Sequence, residues 1–344
     1  MKTSVIDDVK MTTLQDIGER KAIEEIKKIL SSQHLCLDIG DDCGGFQLDD
    51  NYILVTTDMI AERTHIPSTM NPEDIGWFVV AINLSDLAAK GGRPKGLVLS
   101  CGLPKTYPAD DYKKILRGAK TCADTYHTAI LGGDTKENEI LTISGTAVGI
   151  VPLNEFMGRY GAKNGDIVAV TGTLGKAAAG WYSMNQLHPQ QEIIDGLIHP
   201  LPQIRAGRIL ASTLKVHCCM DISDGLSSSL YQLAKINKVG FEIKQENLPI
   251  NPMLSELKKQ NTQISLPDDA IHFGGDYELL FTTSREDFHL IKENLESIQI
   301  QVSNIGMVTE SKDIIIRSNH SQRILRNQGY EHFSTKLSSL KEKN

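Results

Sequence analysis

The sequence predicts a chain of the α/β plus α+β class that folds in two halves. Its 344 residues give enough length for two domains that each bury a core. Strand-like apolar runs alternate with segments of helical periodicity along nearly the whole chain. A stretch of turn-forming residues, RYGAKNGD at 159–166, interrupts this alternation near the middle. These observations together predict two halves with a boundary near 152–160.

The first half is expected to contain two helices among four strands. Pro72 and Glu73 mark the first turn of a helix over 72–90, and the acidic residues of "ADD" open another over about 109–126. The predicted strands of this half cover 52–57, 96–103, 129–134 and 139–151.

The second half is expected to continue the same alternation. It begins with a strand at 166–172, which leads into a helix of small residues at 176–186. Its further predicted helices lie near 203–213, 224–236 and 285–295. Its further predicted strands cover 218–223, 240–245, 277–284 and 300–306.

Composition and charge exclude several classes of protein. A formal net charge of −7 argues against nucleic acid as the main partner, because few cations are left to neutralise phosphates. The first ten residues lack the apolar core of a signal peptide, and the densest apolar run, 77–82, is too short to span a bilayer. Six cysteines show no metal-ligand spacing and are predicted to be buried thiols. The sequence therefore predicts a cytoplasmic protein without a membrane partner.

Aspartates recur at the ends of apolar runs, beside small or turn-forming residues. Each of them taken alone is explained as a helix cap or an Asx-turn. If they converge, their mutual repulsion raises their pKa values unless cations lie between them. Mg²⁺ bound by a few carboxylates and substrate phosphates removes that penalty. A site with several Mg²⁺ ions is therefore predicted from Asp41, Asp42, Asp58, Asp86, Asp134, Asp221 and Asp224.

The glycine-rich segments are weaker signals than the aspartates. TGTLGKAAAG at 171–180 is not a Walker A loop, because Val170 and Ala177 stand where Gly and Ser or Thr are required. A turn between a strand and a closely packed helix is the favoured interpretation. LGGDT at 131–135 is better suited to an anion, since its glycines allow backbone N–H groups to approach closely. The sequence contains no histidine pattern typical of a metal site and no nucleophile elbow.

Read in order, these motifs resemble the thiamine-monophosphate kinase family, within the aminoimidazole-ribonucleotide-synthetase-like superfamily. The resemblance runs from about residue 14 to residue 333 and rests on IGDD, VTTDM with His65, AINLSDLAAKGGRP, LGGDT, RYGAKNGD, MDISDGL, YELLF and GYEHF. It implies an N-terminal sheet domain (14–153) that binds ATP and Mg²⁺ and forms a homodimer. It also implies a C-terminal α+β domain (154–335) and leaves a short tail (336–344).

The resemblance implies ATP-dependent phosphorylation of thiamine monophosphate and gives roles to individual residues. Positions for several Mg²⁺ ions are implied at Asp42, Thr56, Thr57, Asp58, Asp86, Asp134, Asp221 and Asp224, with Asp41 behind them. Nucleotide contacts are implied at Gly133, Asp134, Arg159 and Ser223. His65 and Tyr330 are implied near the thiamine moiety. No catalytic side chain is expected, because the acceptor phosphate oxygen is already ionised and positioning suffices.

Two departures from the family pattern fall on the acceptor side. The family motif G-G-E-D-Y-E-L includes a Glu that the resemblance implies as a substrate contact; here either Gly275 stands in its position or the motif is one residue shorter. Asp276 is the expected stand-in and Glu278 the next. Arg63 replaces a glycine beside His65.

Three functions therefore stay open from the sequence. A thiamine-phosphate kinase leads. A dehydratase or cyclo-ligase of the same superfamily is the alternative enzyme, although the chain ends without the cysteine-bearing tail expected of the hydrogenase-maturation type. A non-catalytic regulator that binds Mg-nucleotide is the third.

Overall fold

The computed structural model describes residues 12–30, 37 and 39–333. The predicted tail, 336–344, lies outside the described residues. No helix in the described ranges combines the length and apolar character that a bilayer span requires. The prediction of an α/β plus α+β chain with two sheets is confirmed, while the domain bounds 14–153 and 154–335 stay a prediction.

The first half contains one sheet and its covering helices. Its helices are α1 (Leu14–Ile17), α2 (Glu19–Leu30), α3 (Glu62–His65), α4 (Pro72–Ala89) and α5 (Ala109–Thr125). Its strands are β1 (Gly44–Leu48), β2 (Asn51–Ala61), β3 (Arg93–Leu103), β4 (Ile130–Glu137) and β5 (Thr142–Pro152).

Helix α4 is the central element of this half. Its first turn is fixed by a capping box, in which Asn71 and Asp74 exchange side-chain bonds with each other's backbone N–H. Most of its remaining residues are buried, which is the pattern of a helix enclosed on all sides. The helix packs under β2, β5 and β3 and against α5.

The five strands lie in the order β1-β2-β5-β3-β4, and only the β3–β4 pair among them is parallel. Burial alternates along β5, so one face of the sheet packs on α4 and the other faces outward. We call that second face the outer face, and it carries Val55, Thr57, Met59, Val98, Ser100 and Ser144.

The second half contains the other sheet. Its helices are α6 (Lys176–Met184), α7 (Gln191–Ile198), α8 (Ile204–Thr213), α9 (Leu226–Asn237), α10 (Pro252–Gln260), α11 (Asp268–His272) and α12 (Phe288–Glu296). Its strands are β6 (Ile167–Thr171), β7 (Val216–Asp221), β8 (Gly240–Lys244), β9 (Leu279–Thr283), β10 (Val302–Thr309), β11 (Ile314–Arg317) and β12 (Gln322–Ile324). The strand order is β12-β11-β8-β10-β6-β9-β7.

The two halves share a hydrophobic core, which we call the seam. Near it, Trp77 of α4 also joins the two halves by donating its indole N–H to the Pro200 carbonyl oxygen, at 2.9 Å. Helices α4 and α8 approach so closely that a Cβ on Gly207 would lie 2.1 Å from the Ala88 oxygen. The seam consists of Ala88, Ala89, Met157, Ala206, Leu210, Phe281 and their neighbours. It brings the last turn of α4 beside the end of β7.

The predicted helices and strands are confirmed with shifted ends. Strand β2 continues to Ala61, and β9 starts only at Leu279 rather than at Tyr277. The sequence interpretation missed the short strands β1, β11 and β12 and the helices α1, α2, α3, α7, α10 and α11.

Candidate functional site

Three aspartates from distant parts of the chain converge at the seam. Asp42 lies two residues before β1, Asp86 lies in the last turn of α4, and Asp221 ends β7. One carboxylate oxygen from each lies within 4.8 Å of the others. We call these three residues the acidic cluster. Three of the seven aspartates that were predicted to converge therefore do so in this cluster.

Burial sets the electrostatics of the acidic cluster. It raises the pKa of Asp86 well above the usual range, and the charges of Asp58 and Asp221 add to that effect. Burial, together with the charge of Asp42, raises the pKa of Asp221 to about 7. Carboxylates in such a site tend to hold protons unless a cation is close.

Asp42 differs from its neighbours because two cations contact it. Burial acts to raise its pKa, but the Arg159 guanidinium and the Lys90 ammonium outweigh burial and lower it. The Arg159 Nε donates to Asp42 Oδ1 at 3.0 Å, and the Arg159 backbone N–H donates to Asp41 Oδ2 at 2.9 Å. Asp41 contacts Arg159 and Lys90, and its predicted role behind the metal ligands stays a prediction.

The donor set of the acidic cluster fits a hard divalent cation. Asp42 Oδ2 is buried and accepts no hydrogen bond, although the Lys90 Nζ is 2.8 Å away as an ion pair. Hydroxyls support the other two carboxylates: Thr56 Oγ1 is 2.5 Å from Asp86 Oδ2, and Ser85 Oγ is 2.7 Å from Asp221 Oδ2. A set of carboxylate oxygens without nitrogen or sulfur ligands is what Mg²⁺ accepts.

Asp58 and Asp224 border the acidic cluster. Burial raises the pKa of each to about 6, and the charge of Asp58 acts on both Asp86 and Asp224. The backbone N–H of Asp58 is held by the Asn83 side chain of α4 at 3.1 Å. Ser223 lies between Asp221 and Asp224, and its carbonyl oxygen accepts the Gly275 N–H.

Tyr277 is a neighbour of the acidic cluster that the sequence did not indicate as a site residue. Burial raises its pKa, and the charges of Asp58, Asp221 and Asp224 raise it further. Its φ of 51° lies in the left-handed region, which turns the chain immediately before β9. The only signal in the sequence was its position inside the YELLF motif.

Thr57 and Asp134 lie elsewhere in the described chain. Thr57 projects from the outer face, where its Oγ1 donates to the Gly145 oxygen at 2.8 Å. Asp134 pairs with Ser100 of β3, is largely exposed, and lies 3.5 Å from Lys136 Nζ. Gly133, which was predicted to contact the nucleotide, precedes Asp134 on β4 and pairs with Leu99 of β3. Within one chain these positions do not join the acidic cluster, and their assignment stays a prediction.

The two predicted acceptor residues lie close together. The ring of His332 is 5.3 Å from that of His65 and 4.8 Å from that of Tyr330. We call these three residues the aromatic corner. Glu19 Oε2 accepts the His332 backbone N–H at 2.8 Å. The Tyr330 backbone N–H donates to the backbone carbonyl oxygen of Asp224 at 3.1 Å. The corner therefore adjoins Asp224. His332 belongs to the GYEHF motif but was not singled out from the sequence.

Asp276 has a different environment from the one predicted for it. Its two carboxylate oxygens accept the backbone N–H groups of Gly175, at 2.7 Å, and Ala177, at 3.0 Å. The residue thus caps the N-terminus of α6, and TGTLG forms the turn that was favoured over a phosphate loop. Glu278 is bound by Thr171 Oγ1 at 2.8 Å and by Lys176 Nζ at 3.3 Å. This geometry disfavours Asp276 as the acceptor-side carboxylate.

The chain matches two family descriptions. Residues 40–151 match the AIR synthase related protein, N-terminal domain, and residues 163–319 match the corresponding C-terminal domain. The thiamine-monophosphate kinase of Methanospirillum hungatei is 36% identical over 298 residues, which are 87% of this chain and 94% of that protein. The enzyme of the same name from Bacillus subtilis is 33% identical, over 81% of this chain and 88% of that protein.

Solved structures give the same picture. A structure described as AaThiL complexed with AMPPCP and TMP has a TM-score of 0.82 and 29% identity, and covers 94% of this chain and 99% of that one. Thiamine monophosphate kinase from Aquifex aeolicus has a TM-score of 0.74 at 29% identity, over 86% of this chain and 95% of that one. A HypE–HypF complex has a TM-score of 0.72 at 21% identity, over 88% of this chain and 98% of that one, which is a likeness of fold alone.

Proposed function

This chain belongs to the thiamine-monophosphate kinase family of AIR synthase related proteins, and we propose that it transfers the γ-phosphoryl group of ATP to thiamine monophosphate. The products are thiamine diphosphate and ADP. The observation that carries the proposal is the acidic cluster, in which three segments bring carboxylate oxygens within 4.8 Å of one another at the seam.

The reaction joins two highly anionic groups, and its chemistry asks little of the protein beyond position and charge. The attacking oxygen of the acceptor phosphate is already ionised, so no general base is required. Bound Mg²⁺ supplies neutralisation of the phosphate oxygens. The Arg159 guanidinium donates to Asp42 Oδ1 at 3.0 Å and to Gln232 Oε1 at 2.9 Å, which fixes it in place. Because the guanidinium is already held in position, the reorganisation free energy when phosphates bind is small.

The residues that would hold the metal ions lie around the acidic cluster. We assign Asp42, Asp86 and Asp221 as the central ligands, with Asp58, Asp224 and Thr56 bordering them. Arg159 and Ser223 are assigned to the nucleotide phosphates. The aromatic corner is assigned to the thiamine moiety, because it adjoins Asp224 and so places an acceptor beside the metal ligands.

A homodimer is proposed to form through the outer face. Val55, Met59 and Val98 of this face are exposed, with 37%, 59% and 40% of their surfaces accessible. These residues lie on β2 and β3, on either side of β5, and exposed apolar residues grouped on a sheet face are typical of a covered surface. The remaining metal and nucleotide candidates, Thr57 and Asp134, project from this side of the sheet, so a dimer would bring the two protomers' copies towards each other. Light scattering of Met59→Glu against the wild type tests this, and a monomeric wild type refutes it.

The proposed location is the cytoplasm. The five cysteines within the described ranges are buried free thiols, which suits a reducing compartment. ATP, the proposed co-substrate, is a cytoplasmic metabolite.

Incubation with Mg²⁺, ATP and thiamine monophosphate tests the function. Chromatography should show thiamine diphosphate and an equal amount of ADP, and excess chelator should abolish both. Parallel reactions with thiamine and with other phosphorylated acceptors control for specificity. Turnover of another acceptor with none of thiamine monophosphate would contradict the proposed substrate, and full turnover in chelator would contradict the metal site.

A further inference from the structure

A lysine ammonium lies behind the acidic cluster with no exposed surface. Lys90 follows α4 directly, one helical turn after Asp86, and its side chain is 0% accessible. Its Nζ is 2.5 Å from Asp41 Oδ1, 2.8 Å from Asp42 Oδ2 and 2.7 Å from the Cys219 carbonyl oxygen. The proposed reaction gives this lysine no role.

Burial of an ammonium is costly, and this one is compensated by oxygen atoms alone. Two carboxylates and a carbonyl at 2.5–2.8 Å form the kind of shell that a hard cation accepts. The shell also joins the segments that carry the acidic cluster: Asp42 is a direct neighbour, Cys219 lies two residues before Asp221, and Lys90 itself continues α4. Asp42 thus has a cation on each of its oxygens, Lys90 on Oδ2 and Arg159 on Oδ1.

We propose that Lys90 is a built-in cation of this site: its ammonium occupies a cation position between Asp41 and Asp42, orients Asp42, and weakens the binding of divalent cations to the acidic cluster. The proposal rests on the proposed metal site. Lys90 is a positioning residue, since its contacts are to Asp41, Asp42 and a backbone carbonyl. It adds a fixed positive charge that no chelator removes.

The Lys90→Met variant tests the proposal, because methionine keeps most of the side-chain volume and removes the charge. The carboxylates of Asp41 and Asp42 then lack one of their cations. Titration of the metal-binding probe Mn²⁺ without nucleotide, followed by electron paramagnetic resonance, gives the affinity and number of ions. We expect binding that is roughly tenfold tighter than in the wild type, or one additional ion, because a charge within about 4–6 Å changes ion binding to a carboxylate by that order.

Thermal unfolding supplies a second readout. In chelator the Lys90→Met protein should unfold at a lower temperature than the wild type, since a buried carboxylate has lost its partner. Saturating Mg²⁺ should raise the unfolding temperature of Lys90→Met by much more than it raises that of the wild type.

Arg208→Met is the matched control. Arg208 is also a mostly buried cation near the end of α4, where it contacts the Gly91 oxygen and Glu155 and none of the acidic cluster. Its loss should lower the unfolding temperature equally in chelator and in Mg²⁺, with Mn²⁺ affinity unchanged.

The outcomes separate the two proposals. Unchanged Mn²⁺ binding in Lys90→Met, with equal destabilisation in chelator and Mg²⁺, would overturn the role of Lys90 and leave the metal site intact. Absence of Mn²⁺ binding in both proteins would overturn both. If Lys90→Met does not fold, the pair Asp41→Asn and Asp41→Asn/Lys90→Met replaces it. The double variant should bind Mn²⁺ roughly tenfold tighter than the single one, and equal affinities would refute the proposal.

Discussion

Two groups of buried carboxylates lie at neighbouring strand ends and have different environments. The acidic cluster (Asp42, Asp86, Asp221) adjoins the end of β7. Asp276 and Glu278, which we call the capping pair, precede β9, the strand that pairs with β7. Asp221, Asp276 and Glu278 each expose 2% of their surface. Burial and position on the sheet therefore do not distinguish the two groups.

The difference lies in the hydrogen-bond donors. The capping pair receives two backbone N–H groups, a threonine hydroxyl and a lysine ammonium. In the acidic cluster, Asp86 and Asp221 each receive only one hydroxyl from the described residues, while Asp42 is paired with the Arg159 guanidinium and the Lys90 ammonium. A buried carboxylate with its donors complete stabilises a fold, whereas one that lacks donors indicates a site for a cation.

The largest effect expected from this comparison is on turnover. Asp86→Asn and Asp221→Asn keep the side-chain shape and remove a charge that the proposed Mg²⁺ requires. We expect each to lower kcat/KM at least about a hundredfold, since even outer-shell changes at metal sites cost up to that much. The metal-free variants should be no less stable than the wild type, because a repelling charge is gone. A variant that melts much lower yet retains near-normal turnover would show that its aspartate is structural.

The pH dependence of stability should differ between chelator and Mg²⁺. The folded pKa of Asp221 is about 7 and that of Asp58 about 6, both above the usual value of 3.8. The metal-free fold therefore holds protons that the unfolded chain has released, and its stability is expected to fall as pH rises from about 4 to 7.

Saturating Mg²⁺ keeps Asp221 and Asp58 ionised in the folded protein and should therefore reduce the change in stability with pH. Melting curves from pH 5 to pH 8, with chelator or Mg²⁺, measure this difference. A slope unaffected by Mg²⁺ would place its origin outside the acidic cluster. The capping pair provides an internal reference, since the pKa of Asp276, raised to about 6 by burial, should not respond to Mg²⁺.

Removing the capping pair should act on stability rather than on turnover. Asp276→Ala leaves two buried N–H groups at the start of α6 without acceptors, which costs about 1–3 kcal/mol of unfolding free energy. Urea unfolding measures the loss, and turnover per folded molecule should stay near that of the wild type. Glu256→Ala, on an exposed pair with Lys259, is the control and should change stability by less than about 0.5 kcal/mol. An acceptor KM that rises in Asp276→Ala would return Asp276 to the substrate site.

The smallest effect concerns Gly275, the position at which the sequence resemblance implies a substrate-binding Glu. Gly275 has φ of 101°, in the region that disfavours side chains, and an added Cβ would lie 3.1 Å from that of Ala177. We expect Gly275→Glu to lose about 1–2 kcal/mol of stability without lowering the acceptor KM. Measuring the KM of thiamine monophosphate and of ATP for this variant decides the matter. A lower acceptor KM would show that the missing carboxylate had been the only deficiency.

The sequence predicted the parts of the molecule that depend on local pattern. The long, strongly apolar helix α4 and the strands β2, β3 and β5 follow from periodicity, and the aspartates follow from their recurrence at strand ends. Three-residue β12 and four-residue β11 are too short to carry a period, which is why they were missed.

The environment of each carboxylate could not be read from the sequence. The donors to Asp276 come from residues 175 and 177, about a hundred positions earlier, so an uncommitted carboxylate and a helix cap have the same local pattern. Lys90 likewise has the pattern of a surface lysine at a helix end. Only the seam, which brings Cys219 and Asp42 to that end, makes it a buried ion.

The seam also affects how substrates enter and leave. A hinge between the halves would have to separate Ala88 and Ala89 from Phe281 and expose apolar surface at about 25 cal/mol per Å². It would also break the contact of α4 with Gly207 of α8. Opening between the halves therefore costs buried apolar surface in every catalytic cycle. We expect the acidic cluster to stay assembled between turnovers, because substrate entry that leaves the seam closed avoids this cost.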